Sequence, residues 1–294
     1  MLQLCSLVKA ENKWRCPYEA PYNATDGMLS TARRKFAVQG ILVDTLSLEE
    51  ASVRICDEVN CGDSFSVFTL NLDHLVKLRR EPLFAQAYKR ARIVLADGFP
   101  IALAGRLQGR MVSRCAGSDL IDPLCAEASH RGLPVIFFGS SLASLAAAAK
   151  RLQALHEGLS IAGVYSPPPA YDVLSGGAWE GIEFVRRSGA KICLVALGAP
   201  KQELFADRCA SETQGISFVC IGAGLDFLAG HERRAPKIWR SLGCEWVWRL
   251  LSDPRRLAKR YLACLLLFPS VLREALSRKL MLRPPGPGDL RPRP

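Results

Sequence analysis

Two hydrophobic periods alternate along this chain. Seven short, continuously apolar runs of β-type composition recur between Phe36 and Gly222: "FAVQGILV", "FSVFTLN", "RIVLAD", "LPVIFFG", "LSIAGVY", "KICLVALG" and "GISFVCIG". The segments between them have helical spacing or composition, most clearly "SLEEASVRICDEV", "SDLIDPLCAEASHRG" and "SLASLAAAAKRLQALHEG". Ser47 and Ser118 stand where N-caps belong. Strands apolar on both faces and separated by helices predict a mostly parallel sheet covered on both sides. The fold class is therefore α/β, doubly wound, over about residues 34–232. Residues 1–33 carry no period and read as a mobile N-terminal extension.

Beyond Gly230 the pattern changes. "KIWRSLGCEWVWRLL" sets Trp239, Leu242, Trp246 and Leu250 at helical spacing. Asp253-Pro254 then reads as an N-cap followed by proline at the first helical position. On the helix it opens, Arg255/Lys259 and Arg256/Arg260 pair at i,i+4, while Leu257, Tyr261, Cys264, Leu265 and Phe268 form an apolar side. Residues 233–280 are thus a basic, amphipathic helical appendage, and the Pro/Gly-rich residues 281–294 a disordered tail.

Charge sharpens this division. The net +11 lies wholly beyond Glu232, where 15 Lys/Arg face 4 Asp/Glu, and the preceding residues are neutral. An anionic membrane surface and nucleic acid are the two partner classes such a distribution suits. The first 30 residues lack a continuous apolar segment, so no signal peptide is expected. No run of about 18 apolar residues occurs, so no transmembrane span is expected either. Eleven cysteines without a CxxC pair, and four scattered histidines, predict reduced thiols in a cytosol and no structural zinc.

The candidate chemistry lies where strands end. "FSVFTLN" finishes in Thr69 and Asn71, "RIVLAD" in Asp97, and "FVCIGAGLD" runs through Gly222 and Gly224 to Asp226. "CLVALGAPKQE" passes Gly198 and Pro200 to Lys201 and Gln202, which open a helix. Each has an ordinary alternative: a turn residue for Asp97, a turn amide for Asn71, a helix cap for Asp226, a solvated first-turn position for Gln202. Together, at one edge of one sheet, they predict a polar crevice where doubly wound folds bind ligands. No GxGxxG follows a strand, no GxxxxGK[ST] occurs, and no G-x-S-x-G elbow is present. The absence of an acidic D-x-D pair at a strand end gives no reason to expect a metal-held diphosphate. A single strand-end carboxylate, with Arg114, Gln202 and helix N-termini as donors, suits base-assisted attack on an activated anionic donor.

These motifs carry a resemblance. "TLNLDHL", "LADGFP", "RCAGSDL", "LGAPKQE", "GAGLDFLAGHERRAP" and "LGCEWVWRLLSDPRRLAKRYL" occur in the order and spacing of the WecG/TagA/CpsF bacterial glycosyltransferases, glycosyltransferase family 26. The likeness covers about residues 34–268. It implies a Rossmann-like domain with a C-terminal helical, membrane-docking appendage. The implied enzyme is an inverting, N-acetylmannosaminyltransferase-like protein with no metal and no cofactor. It would move a sugar from a UDP-sugar to a polyprenyl-diphosphate-linked acceptor, peripherally bound at the cytoplasmic face of the plasma membrane, in surface or exopolysaccharide synthesis. Residue by residue, it makes Asp97 the catalytic base and places Thr69, Asn71, Arg114 and Gln202 in the substrate pocket, with Asp226 in the same crevice. It sends Arg249 and Arg256 to the lipid diphosphate. Lys259 stands where a third arginine is common, and Arg260 shares their basic face. Cys220 and Leu225 replace a usual glycine and phenylalanine in the pocket wall, which bears on sugar identity.

Two other readings compete. A nucleotide-sugar or dinucleotide oxidoreductase would share the fold class but lacks its glycine fingerprint. A basic nucleic-acid-binding module would use residues 233–294, but the apolar run Leu262–Phe268 favours lipid over RNA. Donor sugar, acceptor sugar and oligomeric state, including a homo-oligomer, are left open by the sequence.

Overall fold

The computed structural model describes residues 35–231, 235–236, 239 and 245–281; the side chains of Arg249, Arg256 and Met281 lie outside that description. The expected N-terminal extension, Leu242 and the Pro/Gly-rich tail also fall outside the described residues.

Eight strands form one sheet in the order β1-β2-β4-β3-β8-β7-β5-β6. They are β1 (Lys35–Val38), β2 (Ile41–Asp44), β3 (Phe65–Leu70), β4 (Ile93–Ala96), β5 (Val135–Gly139), β6 (Ile161–Tyr165), β7 (Ile192–Ala196) and β8 (Ser217–Cys220). All pairings are parallel except β1 with β2. The run "FAVQGILV" is thus two strands, closed by a two-residue Gln39-Gly40 turn into a hairpin. Only Asp44↔Leu95 registers β2 on β4. The buried Asp44 carboxylate strengthens that junction, accepting from the Val94 N–H at 3.0 Å and pairing with Lys35 and Arg54.

The central strands are buried on both faces because their side chains alternate between two cores. Phe68 and Leu70 of β3 enter one, Phe65 and Val67 the other. The first core is covered by α2 (Leu72–Leu78), α3 (Pro82–Arg90), α4 (Phe99–Leu107), α7 (Trp179–Arg187) and α8 (Lys201–Glu212). The second is covered by α1 (Leu48–Val59), α5 (Gly117–His130), α6 (Leu142–Leu155) and α9 (Gly224–Ala229). The fold is a Rossmann-like α/β sandwich. Neighbouring β3 and β8 send their chains to opposite faces, which opens a crevice at their carboxyl ends.

Helix starts follow local chemistry, with one exception. Ser47 caps α1 through a full capping box with Glu50. Ser118 does not cap α5, which begins at Gly117 with Ala116 as an N-cap lacking a side-chain bond. The helix start is pressed against β8: a Cβ on Gly117 would lie 2.9 Å from the Cys220 carbonyl oxygen and the Ile221 Cα. Close approach, not capping, sets this boundary.

The described residues end in α10 (Glu245–Ser252) and α11 (Pro254–Met281), the latter running through Pro269. The apolar side expected on α11 is divided. Leu257 and Cys264 face inward with Leu267, Val271 and Ala275, and the last three join the first core. Leu262, Leu265 and Leu266 remain exposed. The division arises because α11 lies along α2, with Arg260 bonded to Asp73 near one end and Arg79 to Ser270 near the other. Near its far end Glu274 accepts from the Gln39 backbone and side chain at 2.9 and 2.7 Å. No helix among the described residues is long and apolar enough to cross a membrane.

Candidate active site

Parallel strands bring their following residues to one edge, and the expected residues gather there. Asn71 ends the β3 segment and caps α2, its Oδ1 accepting from the His74 N–H at 2.9 Å. With the oxygen so engaged, Nδ2 turns outward and donates to Oδ2 of Asp97 at 3.2 Å. Asp97 follows β4 directly, with its backbone N–H on the Leu70 carbonyl at 2.8 Å. Main-chain and side-chain bonds therefore both tie the carboxylate to β3.

Thr69 sits two residues deeper, opposite Leu95. Its carbonyl oxygen lies within hydrogen-bond distance of both Tyr88 Oη (2.8 Å) and His74 Nδ1 (2.9 Å). Burial lowers the His74 pKa to about 4 and raises that of Tyr88 well above its usual value. Both are neutral at physiological pH and brace the β3–α2 junction. Sequence reasoning missed this pair because its partner is a backbone carbonyl.

Arg114 lies on the stretch leading into α5. Cys115 donates from its backbone to the Ala96 carbonyl at 2.7 Å, which brings this stretch against the residue before Asp97. Arg114 Nη2 is 3.5 Å from Oδ2 of Asp119 in the first turn of α5. The guanidinium thus approaches the start of a helix whose first amides have no side-chain cap, a favourable surrounding for an anion.

The second half of the crevice lies beyond β5, β7 and β8. Gln202 is buried rather than solvated. Its Oε1 accepts from the Gly222 N–H at 3.0 Å, and its Nε2 donates to Glu203 at 2.8 Å. Asp226, in the first turn of α9, accepts from the Ser140 hydroxyl, and Ser166 donates to the Ser140 carbonyl at 2.7 Å. Ser140 adopts φ 53° immediately after Gly139, whose own φ is 103°. A Cβ on Gly139 would lie 2.4 Å from the Ala196 carbonyl oxygen, so only glycine lets β5 and β7 converge there. The signal for Ser140 in the sequence was a glycine-serine pair closing an apolar run. Glu203 follows Gln202 in the same motif, and no local pattern marks it for a role.

The appendage residues separate into groups. Arg260 Nε pairs with Oδ1 of Asp73 at 2.9 Å and ties α11 to the helix that Asn71 caps. It therefore serves as a tether while its side chain stays largely exposed beside Lys259. Lys259 and Arg255 are exposed. The side chains of Arg249 and Arg256 are outside the described set. Among the described residues no group of three or more His, Cys, Asp or Glu side chains is gathered to hold a metal ion.

With this geometry in view, comparison with known families is decisive. The family model of the WecG/TagA/CpsF glycosyl transferases matches residues 36–281. The chain belongs to this family. It is a glycosyltransferase of cell-surface polysaccharide synthesis, a class that uses nucleotide-sugar donors and lipid-linked acceptors. Membership decides against the oxidoreductase and nucleic-acid readings.

Proposed function

We propose that this WecG/TagA/CpsF protein is an inverting, metal-independent transferase acting with Asp97 as general base. It moves N-acetylmannosamine, its uronic acid or a related hexose from a UDP-sugar to a polyprenyl-diphosphate-linked sugar. The observation that carries the reading is Asp97 itself, a carboxylate at the end of a buried strand, oriented by Asn71. An acceptor hydroxyl is a poor nucleophile at neutral pH. Asp97 takes its proton as the oxygen attacks the anomeric carbon from the face opposite the UDP. The carbon–oxygen bond to UDP breaks, and the leaving diphosphate carries away the electron pair. Positioned proton transfer of this kind contributes about 10²–10⁴-fold.

Strand order supports the placement of the donor. From β4 through β3, β8 and β7 to β5 is four strand spacings, about 19 Å along the edge. Asp97 stands at one end and the Ser140–Asp226 pair at the other. An extended nucleotide-sugar fits this order: sugar beside Asp97, diphosphate near Arg114, Gln202 and the start of α5, nucleoside against Asp226. Thr69 forms part of the floor below Asp97. Such donors stabilise departing charge electrostatically.

In the same reading the appendage docks at the inner face of the plasma membrane. Leu262, Leu265 and Leu266 are exposed on the N-terminal half of α11, the half that also carries the exposed Lys259 and Arg255. Arg249 and Arg256 are assigned to the lipid diphosphate. Each Lys or Arg near an anionic leaflet contributes roughly 1 kcal/mol. The deciding experiment is UDP release with a synthetic lipid-diphosphate acceptor: Asp97→Asn should bind UDP normally and lose about 10²-fold or more in kcat. Turnover within about threefold of wild type would overturn the base assignment.

A further inference from the structure

Glu203 occupies the third position of α8 and is fully buried. Its Oε1 accepts from Gln202, and its Oε2 has no hydrogen-bond partner among the described residues. An unpartnered buried carboxyl oxygen costs stability, so packing alone does not account for the residue. Gln202 does. The Gly222 N–H can only donate, which assigns Oε1 of the amide to it; Nε2 must then face Glu203. Partners of opposite polarity hold one amide rotamer and leave one Nε2–H unused. The β3–β8 register, with Val67 beside Val219, carries forward to bring Gly222 level with Leu70, the residue before Asn71. The unused N–H therefore belongs to a group held against the middle of the crevice.

We infer that Glu203 is the positioning residue of Gln202, clamping its amide so that the remaining N–H is presented to the leaving diphosphate. The clamp follows from the geometry; the identity of the anion rests on the donor reading above. The ionisation of Glu203 bears on how the clamp works. Burial raises its pKa to about 7, opposed by Gln202, its own backbone N–H and Lys77 and reinforced by Asp73. The other groups facing it, Tyr88 and Cys220, have pKa values well above their usual ones and stay neutral. A protonated Glu203 keeps an acceptor oxygen for Gln202 and places no charge beside a diphosphate, whereas the ionised form repels it. Anion binding is then coupled to proton uptake and weakens as pH rises through about 7.

The test titrates UDP into the full-length wild type, Glu203→Gln, Glu203→Met, Gln202→Ala and the Glu203→Met/Gln202→Ala double variant, on both sides of pH ~7. The Gln202 side-chain amide is followed by NMR in each variant that retains it. Glu203→Gln retains an acceptor, so UDP affinity should stay within about threefold while its pH dependence disappears. Glu203→Met removes the acceptor at similar volume. It should lose about tenfold in affinity, as Gln202→Ala does, and the double variant should be no worse than either single one. Hydrogen-exchange protection of the Gln202 amide should fall in Glu203→Met and persist in Glu203→Gln. A folded Glu203→Met protein with a protected amide, or additive losses in the double variant, would overturn the clamp. Wild-type UDP affinity in Gln202→Ala would instead overturn the donor reading, with the amide signals still deciding the clamp.

Discussion

Asn71 serves Asp97 and α2 with the two ends of one amide: Oδ1 takes the His74 N–H at 2.9 Å and Nδ2 reaches the Asp97 carboxylate at 3.2 Å. The cap selects the amide rotamer, and the rotamer aims a donor at the proposed base. Helix initiation and orientation of the proposed base therefore share one side chain.

Substitution at Asn71 should separate these roles. Asn71→Asp keeps an N-cap oxygen, so stability should change by less than about 1 kcal/mol. It also sets a second carboxylate against Asp97, which favours the protonated form of the pair. The acidic limb of the pH–rate profile should move to higher pH, read in kcat from UDP release. Asn71→Ala should lose about 1 kcal/mol of stability in addition to lower turnover. An unmoved profile in Asn71→Asp would show that the contact does not govern the base.

Two buried groups should give opposing pH dependences of stability. Glu203 has a folded pKa raised from 4.5 to about 7, so its contribution is full below about 4.5 and is lost as pH rises through about 7. His74 has a folded pKa lowered from 6.5 to about 4; its contribution is present above about 6.5 and is lost as pH falls towards about 4. Each amounts to roughly 3 kcal/mol at most, and the two slopes oppose between about pH 4.5 and 6.5. Urea titrations should therefore show a flatter wild-type curve there than either variant. Glu203→Gln should expose the acid loss, and His74→Asn the loss towards neutral pH. Parallel curves in all three proteins would contradict this assignment.

The two faces of α11 should respond differently. Leu267 is buried in the first core, and Leu267→Ala should cost about 2–5 kcal/mol in chemical denaturation. Replacing the exposed Leu262, Leu265 and Leu266 with glutamine should leave stability nearly unchanged and reduce flotation with anionic liposomes. Charge reversal at Arg255 and Lys259 should do the same, more strongly at low salt. Arg260→Glu should also loosen α11, because it sets two carboxylates together at Asp73. Normal flotation of the triple glutamine variant would remove the docking role from this face.

Gly139→Ala tests the donor half. The new methyl meets the Ala196 carbonyl and the backbone has positive φ, so β5 and β7 must part or the turn must change. UDP affinity should fall by about tenfold or more with Asp97 untouched, since Ser140 would no longer be held against Asp226. Equal UDP affinity in a folded Gly139→Ala protein would place the nucleoside elsewhere.

The sequence by itself determined the alternation of buried strands and covering helices, because apolar period and turn chemistry are local properties of the chain. It also determined that Thr69, Asn71, Asp97, Gln202 and Asp226 share an edge: in a parallel sheet every strand ends on the same side. Tertiary structure alone decided which polar atoms meet. The split of "FAVQGILV" into a hairpin, the start of α5 at Gly117 and the tether from Arg260 to Asp73 each depend on a partner distant in the chain. The face of α11 that packs inward was undecided for the same reason, since apolar residues occur on both of its sides and the elements packed against it, α2, α4, α10 and β1, select between them. Glu203 shows the limit most clearly. A glutamate in a first helical turn ordinarily reads as a solvated, dipole-favoured residue; burial beneath Gln202 converts it into a group with a pKa of about 7, and no local pattern records burial.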